Sequence, residues 1–183
     1  MADFESEQWL LDSAADSAIA ERRRAHWLGV SATESSSFRG LLIDVAEAGI
    51  PVGLTMSHGK VLRGRVTSVG VDFVIVNLTA GPTAIGNIAD ISSLQPDRNI
   101  SKSARLHESA RTGTTDTRMV DEMARWCQDR PTVVATLTSS PTPIVGILSA
   151  VGVDLFTIEG GEPHQSPSYN SLSALSTVVT GSG

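Results

Sequence analysis

Four side chains between residues 58 and 65 have the chemistry needed to bind a polyanion. Ammonium and guanidinium groups bind phosphate through charge and hydrogen bonds together. Side chains alternate between the two faces of an extended strand, so Arg63 and Arg65 share one face and Leu62 lies on the other. The whole group consists of His58, Lys60, Arg63 and Arg65. It indicates either a phosphate-binding site or an ordinary solvated strand face, and the net charge of −6 favours the second alternative.

A second basic group lies near the amino terminus. Arg22, Arg23 and Arg24 come shortly before Trp27, whose ring can stack on a nucleotide base beside a bound phosphate backbone. The same arginines also suit the carboxyl end of a helix, where cations offset the helix dipole. Both interpretations stay open at this point.

The sequence contains no pattern that predicts catalysis. It has no phosphate-binding loop and no G-x-S-x-G motif, and its four histidines lie in separate segments without the spacing of metal ligands. The single cysteine, Cys127, is interpreted as a buried structural thiol. We therefore expect a protein that is not an enzyme and has no cofactor, no metal and no small-molecule substrate.

Composition favours a cytoplasmic protein. One cysteine cannot form an intrachain disulfide, which fits a reducing compartment. The first residues, MADFESEQWL, are acidic where a signal peptide is basic, and no apolar run approaches the roughly 18 residues of a membrane span. We expect no contact with a membrane.

The sequence contains two similar copies of one short segment. Residues 66–76 read VTSVGVDFVIV and residues 148–158 read LSAVGVDLFTI, with a glycine two positions ahead of each copy, Gly64 and Gly146. A glycine inside a strand indicates a sharp bend or a bulge. The repeat therefore predicts a duplicated and strongly curved β-structure, in which Asp72 and its counterpart hydrogen-bond turn amides.

Periodicity and turn residues divide the chain into four parts. Residues 1–30 are predicted to form a long amphipathic helix, with Trp9 and Leu10 on the apolar face. Such a face packs on its own domain or on a second copy of the chain. Residues 36–96 and 119–180 each read as a helix, three strands and a closing strand, and residues 97–118 read as a flexible linker.

The run VGLTMSHGKVLRGRVTSVGVDFVIV resembles the first Sm motif of Sm, LSm and Hfq proteins. The resemblance rests on Gly59, Leu62, Gly64, Val66 and Asp72 in the first copy and on Gly146, Leu148, Asp154 and Phe156 in the second. It implies a mainly β protein with helices, built as two tandem Sm-like (SH3-like) small β-barrels, each preceded by a helix. It also implies rings of protomers that bind RNA.

The two copies differ on the strand after the first turn. Arg63 aligns with Val145, and Arg65 aligns with Ile147. The apolar pair predicts a covered face in the second copy, packed on its sibling, on a helix or on another chain.

Two hypotheses of function follow. In the first, an Sm-like binding or assembly protein binds RNA through the basic face of the first barrel and through the group at residues 22–27. In the second, a protein-interaction scaffold has no nucleic-acid ligand and associates with a protein partner or with itself. Its interface residues would be Val145, Ile147, Trp9 and Leu10.

Overall fold

A computed structural model describes residues 37–96, 113–160 and 166–181. The chain divides into two compact units, residues 1–44 and residues 45–183. None of the helices in the described ranges has the length and apolarity needed to cross a bilayer. The predicted amino-terminal helix (1–30) lies outside these ranges, as does most of the predicted linker.

Two α-helices lie where the sequence predicted them. Helix α1 spans Phe38–Ala48 and ends at Gly49, whose φ of +60° closes a helix at little cost. Helix α2 spans Met119–Cys127. Its first turn is stabilised from a distant segment, because the backbone N–H of Met119 donates to Oδ1 of Asp72 at 2.7 Å.

The strands form two groups of five with a short strand between them. The first group, here called the first repeat, is β1 (Pro51–Met56), β2 (Val61–Val69), β3 (Phe73–Leu78), β4 (Thr83–Asn87) and β5 (Ile91–Pro96). Strand β6 (Gly113–Thr114) follows. The strands of the second repeat are β7 (Thr132–Leu137), β8 (Ser140–Val151), β9 (Leu155–Glu159), β10 (Ser168–Ser171) and β11 (Leu175–Thr180). Single 3-10 turns at Ile88–Asp90 and Leu172–Ala174 precede β5 and β11.

All eleven strands belong to one sheet. Its order is β10-β9-β8-β7-β11-β4-β3-β2-β1-β5, with β6 beside β2. Neighbours along this path are antiparallel, and β6 runs parallel to β2. The two repeats therefore have the same strand order, and they join where β4 pairs with β11.

The prediction of two tandem Sm-like barrels is wrong. Strands of both repeats form one open antiparallel sheet, and among the described residues β5 and β10 each have one neighbouring strand. The physical reason lies in the edges. Strand β4 has a row of backbone N–H and C=O groups that need partners, and the edge of β11 supplies them. Hydrophobic pattern reports which face of a strand is buried and says nothing about which edges meet.

The register of β2 on β3 is repeated in β8 on β9. Val66 lies opposite Val76, and Leu148 lies opposite Ile158. One residue further, each strand has an irregularity at the same place in the repeat. Thr67 donates its hydroxyl to the carbonyl of Ile75 at 3.5 Å, and Ser149 makes the corresponding bond to Thr157 at 3.4 Å. The sequence repeat thus corresponds to a repeat in strand pairing.

Gly64 and Gly146 are required by the close approach of the next strand. A Cβ at Gly64 would overlap the carbonyl oxygen of Asn77, and one at Gly146 would overlap that of Glu159. Both glycines are buried. The absence of a side chain thus brings the backbones of adjacent strands together in both repeats.

A large part of the core joins the two repeats. Phe73 and Ile85 from the first repeat belong to the same buried cluster as Met123, Phe156 and Val178 from the second. Because apolar burial is the main favourable term in folding, this shared cluster stabilises the joined sheet.

The carboxyl end of the predicted linker is part of the fold. Gly113 and Thr114 pair with Ser68 and Val69 of β2, and the amide of Thr115 donates to the carbonyl of Val69 at 3.1 Å. Strand β6 therefore ties the start of the second repeat to the first.

Replacing Gly146 by alanine is expected to destabilise the protein by about 1–3 kcal/mol, because β8 and β9 must separate to admit the methyl group. Gly64→Ala should have a similar effect. Gly113→Ala is the matched control, since a Cβ there meets nothing within 4 Å. Urea unfolding measures the difference, and equal midpoints for Gly146→Ala and Gly113→Ala would contradict the explanation.

Candidate functional site

The junction between the repeats is a short antiparallel ladder. Val178 of β11 lies opposite Ile85 of β4, and both side chains are buried. At one end the backbone N–H of Thr83 donates to the hydroxyl of Thr180 at 3.1 Å. At the other end the side-chain amide of Asn87 donates to the carbonyl of Leu175 at 3.1 Å. The junction is apolar at its centre and is hydrogen-bonded at both ends.

A buried carboxylate lies beside this ladder. Asp90, which is 7% exposed, accepts hydrogen bonds from the hydroxyls of Ser57 and Ser176. His58 Nδ1 lies 3.6 Å from Asp90 Oδ2 and 3.2 Å from the hydroxyl of Ser176. Ser176 belongs to the second repeat, and the other three residues belong to the first. The cluster therefore links the two repeats with polar contacts, which compensate the cost of burying the carboxylate.

This cluster contains a serine, a histidine and an aspartate, but its geometry differs from that of a catalytic triad. In a triad the two ring nitrogens have different partners, with one facing the serine and the other the aspartate. Here Nδ1 of His58 faces both Ser176 and Asp90, and Nε2 is buried without a hydrogen-bond partner among the described residues. The arrangement suits a structural link.

A cleft of about 320 Å³ opens next to the cluster. His58 and Lys60 of the β1–β2 turn line one side, and Val134, Thr136 and Pro143 of the β7–β8 hairpin line the other. Lys60 is partly buried. The loss of water around its ammonium group lowers the pKa of Lys60 below the usual 10.5.

The structure separates the basic residues that the sequence grouped together. His58 and Lys60 share the cleft, whereas Arg63 and Arg65 lie on β2 and do not line it. The burial pattern of β2 confirms the predicted alternation, since Leu62 is buried and Arg63 is exposed. Arg65 is half-buried and donates from Nη1 to the carbonyl of Gly49, the residue after helix α1. Arg65 thus stabilises a helix end.

The apolar pair of the second repeat is only partly covered. Val145 is 56% exposed, and Ile147 is half-buried. Cover by the sibling repeat or by a helix, which the sequence suggested, is therefore incomplete in the single chain. The other predicted site residues, Trp9, Leu10, Arg22, Arg23, Arg24 and Trp27, lie outside the described residues.

The two strands at the open edges of the sheet, β5 and β10, are the repeat counterparts of the two strands at the internal junction, β11 and β4. Leu94 of β5 faces Leu54 of β1, as Val178 of β11 faces Ala135 of β7. The equivalence of β10 and β4 follows in the same way from their pairing with β9 and β3. The sequence predicted three strands and a closing strand in each copy and so missed β4 and β10, because the glycine and proline residues near them are typical of loops.

No protein-family model matches the chain, and no curated protein is significantly similar to it. The geometry of the junction, the cleft and the edges is therefore the basis for inferring function.

Replacing Asp90 by alanine is expected to lower the free energy of unfolding by about 1–3 kcal/mol, because the buried hydroxyl of Ser176 loses its acceptor. Asp154→Ala, at an exposed turn of the second repeat, is the control and should change stability by less than about 0.5 kcal/mol. The measurement is chemical unfolding at neutral pH. Equal stabilities of the two variants would rule out the link as a stabilising contact.

Lys60 gives the protein a stability that depends on pH. Its pKa is lowered in the folded chain by desolvation, so between that pKa and 10.5 the unfolded chain binds more protons and stability rises with pH. Unfolding of the wild type and of Lys60→Met should therefore be compared from neutral to alkaline pH. We expect the free energy of unfolding of the wild type to increase relative to that of the variant as pH rises. A difference that stays constant with pH would contradict this.

Proposed function

We propose that the chain is an assembly module that associates with further copies of itself, head to tail, through the two open edges of its sheet. One observation carries the proposal: the chain already contains one such junction, between β4 and β11, and its open edges β10 and β5 are the repeat equivalents of those two strands. A second copy can therefore repeat outside the chain the pairing that exists inside it.

The strand registers predict how the edges meet. Tyr169 lies opposite Thr157 of β9, as Ile85 lies opposite Ile75 of β3, so Tyr169 is the counterpart of Ile85. Leu94 is the counterpart of Val178. Because Ile85 pairs with Val178 inside the chain, Tyr169 of one copy should pair with Leu94 of the next.

Burial at these positions supports the same conclusion. Ile85 is fully buried and Val178 is 1% exposed, but Tyr169 is 72% exposed and Leu94 is only half-buried. Large apolar side chains at the centre of an open strand edge lower their free energy when another strand covers them. The residues exposed at the open edges are thus the repeat counterparts of the residues that the internal junction buries.

The contact is heterologous, because β10 of one copy meets β5 of another. Heterologous contacts of this kind generate a closed ring when the rotation between copies closes, and an open filament when it does not. In such an assembly, contacts between chains would alternate with the internal junction of each chain. Each added chain contributes two repeats to the assembly.

This proposal is a form of the second hypothesis drawn from the sequence. RNA binding by the basic face stays a prediction, and two features of the structure weaken its support. Arg65 is engaged at the end of helix α1, and His58 is largely buried in the polar cluster. The absence of enzymatic activity also stays a prediction.

Leu94→Lys and Tyr169→Lys should each abolish self-association, because the lysine places a charge at the centre of the edge. Light scattering coupled to gel filtration measures the mass of each variant. Val153→Lys is the matched control, since Val153 is 94% exposed on the β8–β9 turn and belongs to neither edge. A wild type that stays monomeric at concentrations of tens of micromolar would contradict the proposal.

Mixing the two edge variants tests the head-to-tail polarity. Leu94→Lys retains an intact β10, and Tyr169→Lys retains an intact β5, so one competent junction can form between them. We expect the mixture to give a heterodimer and no larger species. If the Leu94→Lys variant dimerises alone, the contact is symmetric and the proposed pairing is wrong.

A further inference from the structure

Three polar residues line the cleft beside the junction: His58, Lys60 and Thr136. The ammonium of Lys60 and the hydroxyl of Thr136 have no hydrogen-bond partner among the described residues, and partial burial lowers the pKa of Lys60. Nε2 of His58 is buried and does not face the cleft. The nearest carboxylate in the cluster, Asp90, is already engaged by two serine hydroxyls and by His58.

The charge around the cleft favours an anion. Lys60 contributes a cation, and the described lining residues include no carboxylate. A partly buried ammonium without a counter-ion interacts more strongly with an incoming anion than an ammonium in water does, because less water screens the pair.

The rest of the lining favours an apolar body on that anion. Val134 and Pro143 present hydrocarbon surface on the side facing Lys60. The volume of about 320 Å³ lies at the lower end of the range for small-molecule sites. Inorganic phosphate would leave this apolar surface uncovered.

The second repeat serves as an internal comparison. Its β7–β8 turn occupies the place of the β1–β2 turn. The backbone amide of Thr138 donates to the backbone carbonyl of Ala174, and the backbone amide of Ser57 donates in the same way to the backbone carbonyl of Asp90. That turn contains serine and threonine and no cation. The fold of the turn therefore does not require a cation at the position of Lys60. His58 has a structural role beside Asp90, whose place is taken by Ala174 in the second repeat.

We propose that the cleft binds a small organic monocarboxylic acid between the two repeats. The carboxylate accepts hydrogen bonds from the ammonium of Lys60 and the hydroxyl of Thr136. The apolar part of the acid packs on Val134 and Pro143. This site is separate from the sheet edges and does not depend on self-association.

The test is a nuclear magnetic resonance titration of the full-length chain with isobutyrate as the probe. The amide signals of Lys60 and Thr136 should shift saturably. Isobutyramide, which has the same shape without the charge, and inorganic phosphate, which has charge without the apolar body, should each bind at least about tenfold more weakly.

Variants assign the binding to the cleft. Lys60→Met, which keeps the length of the side chain, should weaken isobutyrate binding by about tenfold or more, and Thr136→Val should weaken it by a smaller factor. Arg63→Met removes the same charge from an exposed position on β2 outside the cleft and should leave the affinity unchanged.

Three results would overturn the proposal: no saturable shift, unchanged affinity in Lys60→Met, or an equal loss in Arg63→Met. Binding of phosphate as tight as that of isobutyrate would overturn the assignment to an organic acid. Thr136→Val carries the test if Lys60→Met does not fold. The titration does not require association. A chain that is monomeric and binds isobutyrate would therefore contradict the proposed assembly and still support this site.

Discussion

The structure depends on the need of every strand edge for a hydrogen-bonding partner. Each repeat by itself is a five-stranded open sheet with two unpaired edges. Pairing β4 with β11 satisfies one edge of each repeat and brings Ile85 against Val178 in a buried cluster that both repeats share. Backbone hydrogen bonds set the direction and register of this contact, and apolar burial stabilises it. The same requirement, still unmet at β5 and β10, is the basis for the proposed assembly.

Duplication has left the two repeats with one backbone plan and different chemistry. Gly64 and Gly146 allow the same close approach of strands, and the registers of the paired strands agree. Some of the differences lie where the repeats meet. Asp90 has no acidic counterpart, because Ala174 occupies its place, and the cations of the β1–β2 turn are replaced by hydroxyl residues. The internal junction therefore carries a polar link whose acidic residue has no counterpart in the second repeat.

The sequence predicted the local structure well and the global arrangement poorly. Helix α2 and the alternation along β2 follow from periodicity, which is a local property. Gly64 and Gly146 were predicted to mark a bend or a bulge, whereas in the structure they allow the close approach of the next strand. The pairing of β4 with β11 joins residues more than 80 positions apart and is decided by edges, which leave no hydrophobic pattern. The contact between Asp90 and Ser176 was missed for the same reason. Lys60 was identified as a cation, but its place beside Thr136 in a cleft depends on the junction and could not be predicted before it.

The hydrogen bond from Met119 to Asp72 has a consequence for the order in which the chain acquires its structure. The carboxylate that holds the first turn of α2 belongs to the β2–β3 turn of the first repeat. During synthesis the amino-terminal repeat leaves the ribosome first, so the acceptor is already positioned when the helix emerges. A second repeat produced alone would lack that acceptor, and would have to begin its helix without it. The second repeat thus depends on the first for a contact at the start of its helix.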